Sequence, residues 1–186
     1  MKLKPFLLTI LVILIIGGIL LASESRSLLK EGDTAPNFTS QLCTGETVSL
    51  SDYRGKNNVV LFFYPKDFTP GCTKEVCSFR DNYGEVKKYD AVLLGVSYEN
   101  QSSHQSFIAK HHLPFPLISD LDKSISKAYG TATRFGGLIP GAKRVTYVID
   151  KQGVIRSVLH HEVLIGKHLD GVMEALRKLE GGNTKS

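Results

Sequence analysis

Two cysteines near the middle of the chain lie close enough in sequence to act together. Cys72 is followed by Cys77 after four intervening residues. A disulfide between them would close a loop too short to stabilise a fold by restricting the unfolded chain. A chemical role for this pair is therefore favoured over a structural one. The third cysteine, Cys43, has no neighbour that would activate a thiol, and we expect it to be inert.

The residues around Cys72 predict the start of a helix. Pro70 and Gly71 allow a tight turn, after which apolar residues recur at intervals of three and four, at Cys72, Val76, Phe79, Tyr83 and Val86. A helix N-terminus stabilises a thiolate through its free N–H groups and its dipole. Thr69 adds a hydroxyl that can donate and accept. Such a thiolate could attack one oxygen of a peroxide while donors stabilise charge on the departing oxygen.

Strands and helices alternate along the rest of the chain. The run 59–64 contains only apolar β-forming residues and predicts a strand buried on both faces. Further strands are predicted at 92–96, 115–118, 145–149 and 154–159, a small hairpin at 38–50, and helices at 102–111, 121–129 and around 169–179. This order predicts an α/β class with a central mixed sheet flanked by helices. A chain of 186 residues, 42% of them hydrophobic, suits one domain.

The N-terminal region predicts a membrane segment. Residues 6–22 form a run of 17 without a charge, preceded by Lys2 and Lys4. As a helix it would reach about 25 Å, near the lower limit for crossing a bilayer. We therefore expect an N-terminal hydrophobic helix, either a signal-anchor or a signal peptide, over 1–22. A poor cleavage context favours retention, and the lysines place the domain outside the cytoplasm. The remainder divides into a linker (23–31), the domain (32–180) and a flexible tail (181–186).

Charge and histidine content narrow the set of partners and cofactors. The net charge is +5, but an excess of three basic residues lies in the first thirty, which leaves +2 for the rest. A nearly neutral domain gives no electrostatic basis for binding nucleic acid. The pairs His111–His112 and His160–His161 are adjacent, so their side chains diverge and neither pair forms a metal site. We expect no metal and no other cofactor.

The residues before Cys72 also carry a family resemblance. Residues 65–72 read Pro-Lys-Asp-Phe-Thr-Pro-Gly-Cys, which matches the Pro-x-x-x-Thr-x-x-Cys signature of peroxiredoxins. The continuation Cys-Thr-Lys-Glu-Val-Cys over 72–77 resembles the Q-type branch, also called bacterioferritin comigratory proteins. The resemblance runs from about residue 32 to residue 179 and implies a thioredoxin-like fold.

The resemblance also implies a reaction and the residues that perform it. Pro65, Thr69, Cys72 and Arg144 match the family's active site, and Cys77 matches its resolving cysteine. The implied reaction is reduction of hydrogen peroxide and organic hydroperoxides, in which the Cys72 sulfenic acid is resolved by Cys77 as an intramolecular disulfide. Thioredoxin or a similar dithiol would then reduce that disulfide. We expect a monomer, with Glu75 and Arg80 supporting the site.

Three other functions compete with this interpretation. A membrane-tethered thiol-disulfide oxidoreductase would share the anchor and the fold class, but it would be expected to carry Cys-x-x-Cys, whereas four residues separate Cys72 and Cys77. A copper-delivery protein usually places its two cysteines four apart, on one helical face, whereas these are five apart. A glutathione-peroxidase-like enzyme uses a tryptophan, and this chain has none.

Overall fold

A five-stranded mixed sheet forms the centre of the molecule. The computed structural model describes residues 27–133 and 141–183. In chain order its strands are β3 (Asn58–Phe63), β4 (Ala91–Ser97), β5 (Leu117–Ser119), β6 (Val145–Ile149) and β7 (Ile155–His160), arranged as β5-β4-β3-β6-β7. Strands β3, β4 and β5 are parallel, whereas β6 is antiparallel to both β3 and β7. The predicted small hairpin is formed by β1 (Thr39–Gln41) and β2 (Thr47–Ser49).

Helices flank the sheet on both sides. They are α1 (Pro70–Asp81), α2 (Tyr83–Lys87), α3 (Gln101–His111), α4 (Ser124–Ala128) and α5 (Gly166–Asn183), and a 3-10 turn covers Leu50–Tyr53. The parallel pairs are connected by helical crossovers, and the antiparallel pair β6 and β7 is connected by a hairpin. This is the predicted α/β class, with the mixed sheet and flanking helices of the thioredoxin-like fold.

Strand β3 is buried on both faces because each face supports a separate apolar core. Val59, Leu61 and Phe63 pack with the hairpin and α4, whereas Val60 and Phe62 pack with α1, α3 and α5. Successive side chains of a strand point to opposite faces, so an uninterrupted apolar run is needed to serve both cores. Burying each of these side chains contributes about 1.5 to 3 kcal/mol. The rigid strand therefore ends in a well-anchored position next to the loop that leads to Cys72.

Two helices differ from their predicted extents. The apolar spacing that starts at Cys72 continues to Val86, but the helix is interrupted at Asn82, whose side chain donates to the Ser78 carbonyl at 2.9 Å. The helix predicted at 121–129 covers only Ser124–Ala128. It begins late because the Asp120 carboxylate accepts the backbone N–H groups of Ile125 and Ser126, at 3.0 and 2.8 Å. Side-chain capping therefore sets this boundary.

The two ends of the domain also differ from the expected layout. Residues 27–31 were expected in a linker, yet Leu28 and Leu29 pack against the core. Helix α5 continues to Asn183, beyond the predicted start of the tail at 181. The predicted N-terminal hydrophobic helix lies outside the described residues. Across residues 27–133 and 141–183, every helix is too short or too polar to cross a bilayer.

Candidate active site

Cys72 is the third residue of α1 and is completely buried. Thr69 is the N-cap with extended backbone, and Pro70 occupies the first turn, where its missing N–H costs nothing. The Thr69 hydroxyl donates to the Lys66 carbonyl at 3.1 Å and makes no capping bond to the helix. Its oxygen still has lone pairs for a further donor. The predicted placement of Cys72 at a helix N-terminus is confirmed.

Strand register brings Arg144 to this sulfur. Phe63 at the end of β3 pairs with Val145 at the start of β6, so Arg144 lies beside the end of β3, where the chain continues toward Cys72. Its Nη2 donates to Cys72 Sγ at 3.3 Å, and the side chain is 4% exposed. This contact places a fixed positive charge against the sulfur, where it can stabilise negative charge that develops during a reaction.

Glu75 holds the other side of the guanidinium. It lies three residues after Cys72 on the buried face of α1 and forms an ion pair with Arg144 Nη1. Burial raises the pKa of Glu75 to about 7, although the positive charge of Arg144 opposes this shift. Burial acts against the charged form of Arg144 too, yet Glu75 and Cys72 hold its pKa above the usual value. The cation is thus fixed between a carboxyl group and the reactive sulfur.

His168 of α5 completes the buried polar chain and was not identified from the sequence. Its Nε2 lies 2.9 Å from the His161 carbonyl, which can only accept, so Nε2 carries the hydrogen. Its Nδ1 then accepts from Thr146 Oγ1 at 2.8 Å and lies 3.8 Å from Glu75 Oε1, which has no hydrogen-bond partner among the described residues. Burial lowers the pKa of His168 to about 4, so the imidazole is neutral at pH 7.

The loop between β3 and α1 is fixed by a second buried network. Asp67 accepts from Tyr64 Oη at 2.8 Å and from Ser103 Oγ at 2.7 Å, and it lies 2.9 Å from His104 Nδ1. All of these contacts connect the loop to Tyr64, just after β3, and to helix α3. The network holds the turn that aims Thr69 and Cys72, and sequence reasoning did not identify it.

Pro65 shapes the same loop from the opposite side. A Cβ on Gly141 would lie 2.3 Å from the Pro65 carbonyl oxygen, so only glycine allows the two backbones to approach this closely. Gly141 lies three residues before Arg144, so the close packing of its backbone against Pro65 also helps to position the arginine. Pro65 therefore acts on the site through backbone packing.

Cys77 lies on α1 with Cys72 but faces a different part of the molecule. All three cysteines are free thiols in the described structure, Cys77 being partly buried and Cys43 buried. Cys77 Sγ lies 3.8 Å from His111 Nδ1 at the end of α3. The described ranges contain no group of three His, Cys, Asp or Glu side chains arranged to hold a metal ion. The chemistry of this site therefore centres on one buried sulfur beside a fixed cation.

Comparisons with known proteins agree with this geometry. The model of the AhpC/TSA family matches residues 31–158. A chloroplastic peroxiredoxin Q from Populus jackii is 42% identical over 151 residues, which cover 81% of this chain and 70% of the relative. A putative peroxiredoxin bcp from Coxiella burnetii is 46% identical over 133 residues, covering 70% of this chain and 87% of the relative.

A solved structure gives the same result. The bacterioferritin comigratory protein of Xanthomonas campestris, studied for its alkyl peroxide reduction activity, matches with a TM-score of 0.70 and 30% identity. The match covers 82% of this chain and 98% of that protein. Residues 31–158 include Cys72, Arg144 and the loop that connects β3 to α1. The chain belongs to the AhpC/TSA family, in the branch of peroxiredoxin Q and the bacterioferritin comigratory proteins, and is a thiol peroxidase.

Proposed function

We propose that the protein reduces hydrogen peroxide and organic hydroperoxides with Cys72 as the attacking thiolate. The observation that carries this proposal is the 3.3 Å contact between Arg144 Nη2 and the fully buried Cys72 Sγ. The sulfur lone pair attacks the terminal oxygen, the O–O bond breaks, and the leaving oxygen takes a proton to become water or an alcohol. The sulfur is oxidised to a sulfenic acid while the peroxide is reduced.

Two groups near the start of α1 support this step. The Arg144 guanidinium can stabilise negative charge first on the sulfur and then on the leaving oxygen. The Thr69 hydroxyl donates to Lys66 O, which leaves its oxygen able to accept the O–H of a bound peroxide. Attack and charge stabilisation are thereby assigned to Cys72, Arg144 and Thr69.

Apolar side chains near the start of α1 favour organic hydroperoxides among the substrates. Phe68 is 45% exposed immediately before Thr69, and Ile165 Cδ1 lies 3.2 Å from the position that a Cβ on Gly71 would occupy. Val163 and Leu164, next to Ile165, are 83% and 56% exposed. An alkyl chain would find apolar contacts here. The alkyl peroxide reduction of the Xanthomonas campestris relative points in the same direction.

Resolution by Cys77 forms the second part of the proposal. Cys77 attacks the Cys72 sulfenic acid, which gives an intramolecular disulfide and releases water, and thioredoxin or a similar dithiol then reduces the disulfide. Support comes from the location of both cysteines on α1 and from membership of the peroxiredoxin Q branch. A thiol-disulfide oxidoreductase is less favoured because such a protein would be expected to carry Cys-x-x-Cys, whereas four residues separate Cys72 and Cys77.

Single-turnover kinetics with cysteine variants test this proposal. Cys72→Ser should abolish peroxide reduction, whereas Cys77→Ser should retain the first turnover and accumulate the sulfenic acid. The matched control is Cys43→Ser, which removes a buried thiol away from the site and should turn over normally. Mass spectrometry would follow both products. Native peroxide consumption by the Cys72 variant would exclude the assignment.

A further part of the proposal concerns location and assembly. We expect residues 6–22 to remain attached, so that the chain is tethered to a membrane with a monomeric domain on the extracytoplasmic side. The support is the sequence of this segment, with its uncharged run of 17 residues and its poor cleavage context. Determining the N-terminus of the native protein would test it, and an N-terminus near Ser23 would contradict it.

A further inference from the structure

We propose that His111 is the base that takes the proton of Cys77 before Cys77 attacks the sulfenic acid at Cys72. This inference rests on the proposed resolving role of Cys77. His111 contacts the sulfur that would react, whereas no residue at the Cys72 site performs this task. The two halves of the reaction would then have separate activating groups, Arg144 for attack and His111 for resolution.

The contact between the two side chains is held by two further interactions. Cys77 Sγ lies 3.8 Å from His111 Nδ1, within the range for a hydrogen bond to sulfur. Arg80, one turn after Cys77, donates from Nη1 to the His111 carbonyl at 2.8 Å. Phe107, one turn before His111, packs edge-on against the imidazole with ring centroids 5.0 Å apart. The imidazole is therefore oriented toward the thiol from both helices.

The protonation state of His111 allows it to accept a proton from Cys77. Desolvation and the positive charges of Lys110 and Arg80 lower the pKa of His111 below its usual value. Arg80 faces it from α1 together with Cys77, and the negative charge of Asp81 is engaged by Arg80. A neutral imidazole at pH 7 has one free lone pair, and Nδ1 can direct it at the Cys77 S–H. The Arg80 cation then stabilises the thiolate that forms.

The resolving step balances with this assignment. The S–H bond of Cys77 breaks and its proton passes to His111 Nδ1. The Cys77 sulfur attacks the Cys72 sulfur, the S–O bond breaks, and hydroxide leaves and takes up one proton to become water. Cys77 is oxidised and Cys72 is reduced from sulfenic acid to disulfide. One proton is released and one is consumed, so no further reactant is needed.

The size of the effect follows from the ionisation of an ordinary thiol. With a pKa near 8.5, about 3% of a free cysteine is thiolate at pH 7, so full activation gains at most about 30-fold. His111→Phe retains a ring against Phe107 but removes the acceptor. We expect this variant to form the disulfide about 10- to 30-fold more slowly at pH 7 and to regain rate as the pH is raised.

The experiment uses rapid quenching and mass spectrometry on wild type, His111→Phe and a control. The control is His112→Asn, which changes the exposed neighbouring histidine at a left-handed position (φ 50°) that asparagine tolerates. Three rates are measured from pH 6 to 9: sulfenic acid formation, disulfide formation, and iodoacetamide alkylation of Cys77 in the reduced enzyme. We expect His111→Phe to slow the last two and leave the first unchanged, and His112→Asn to match wild type.

The outcomes separate this inference from the proposed function. If wild type forms no disulfide, the proposed resolution fails, while alkylation of Cys77 still reports whether His111 activates it. If the disulfide forms, unchanged alkylation and resolution in His111→Phe would overturn the role of His111. Faster resolution would also overturn it, because the contact would then only hold the helix closed. Slower sulfenic acid formation would indicate general damage and would equally count against it.

Discussion

Oxidation to the Cys72–Cys77 disulfide should unwind the start of helix α1. Both cysteines lie in one continuous helix, Pro70–Asp81. Five residues along a helix correspond to about 500° of rotation and about 7.5 Å of rise, which places the two Cα atoms roughly 8 to 9 Å apart. A disulfide requires Cα atoms within about 7 Å. The intact helix therefore cannot accommodate the bond, so the proposed resolution by Cys77 requires α1 to open in every catalytic cycle.

The cost of opening can be estimated from the packing of α1. Unwinding from residue 70 to residue 77 breaks about four helical hydrogen bonds, each contributing about 1 kcal/mol net. It also exposes Val76, which is fully buried and whose burial contributes about 2 kcal/mol. The sum of about 6 kcal/mol means that roughly one reduced molecule in 10⁴ is open at any moment. The disulfide would make the open state the dominant one.

Hydrogen exchange measures this difference directly. Amides of residues 70–85 should lose protection when the reduced enzyme is oxidised with one equivalent of peroxide, by roughly four orders of magnitude in the unwound part. Strand β6 (Val145–Ile149) provides an internal reference that should not change. Cys77→Ser, which stops at the sulfenic acid, should keep the protection of the reduced state. Equal protection of residues 70–85 in both states of the wild type would refute the reasoning.

Three further predictions concern the arginine, the pH dependence of stability and the membrane. Arg144→Met should slow first-turnover attack about a hundredfold. The control Arg156→Met removes an ion pair with Asp150 and should leave the rate unchanged. Stopped-flow measurement of the first turnover tests both. His168→Gln removes a group whose effect on the pH dependence of stability is opposite to that of Glu75. Because the pKa of Glu75 is raised to about 7, its stabilisation is lost as the pH rises from about 4.5 through 7, by up to about 3 kcal/mol in urea unfolding. In wild type, His168 has a pKa of about 4, so its contribution to stability increases as the pH rises and offsets the loss from Glu75. If wild type and His168→Gln showed the same pH dependence of unfolding, this prediction would be contradicted. The full-length chain should sediment with membranes, whereas a chain starting at Glu31 should remain soluble.

The local structure around Cys72 was predictable because its causes are local. Pro70 and Gly71 mark the turn, and the spacing of the apolar residues after them identifies the buried face of α1. The run 59–64 predicts β3 for the same reason, since a strand buried on both faces must be apolar throughout. The class of fold follows from the order of such elements.

The rest of the site depends on contacts between distant parts of the chain. Arg144 meets Cys72 through the register of β3 and β6, which no local pattern encodes, and only the family resemblance identified it. Glu75 was expected to support the site, but nothing in the sequence marks it as buried. His168 resembles an ordinary polar residue of a surface helix, although both side chains are buried. His168 stands four residues before Val172 and eight before Leu176, so a polar residue on the apolar face of α5 was the available signal.

The turn before α1 stores energy that opening can release. Phe68 has a left-handed backbone, with φ of 59°, which costs a non-glycine residue about 1 to 2 kcal/mol. Its ring is held against Phe107, with centroids 4.9 Å apart, and under the Lys110 ammonium at 5.5 Å. When the first turn of α1 unwinds, Phe68 is free to return to an ordinary conformation. In the proposed resolution by Cys77, this relaxation lowers the free-energy cost of opening α1, so a sulfenic acid at Cys72 would be exposed to a second peroxide for a shorter time.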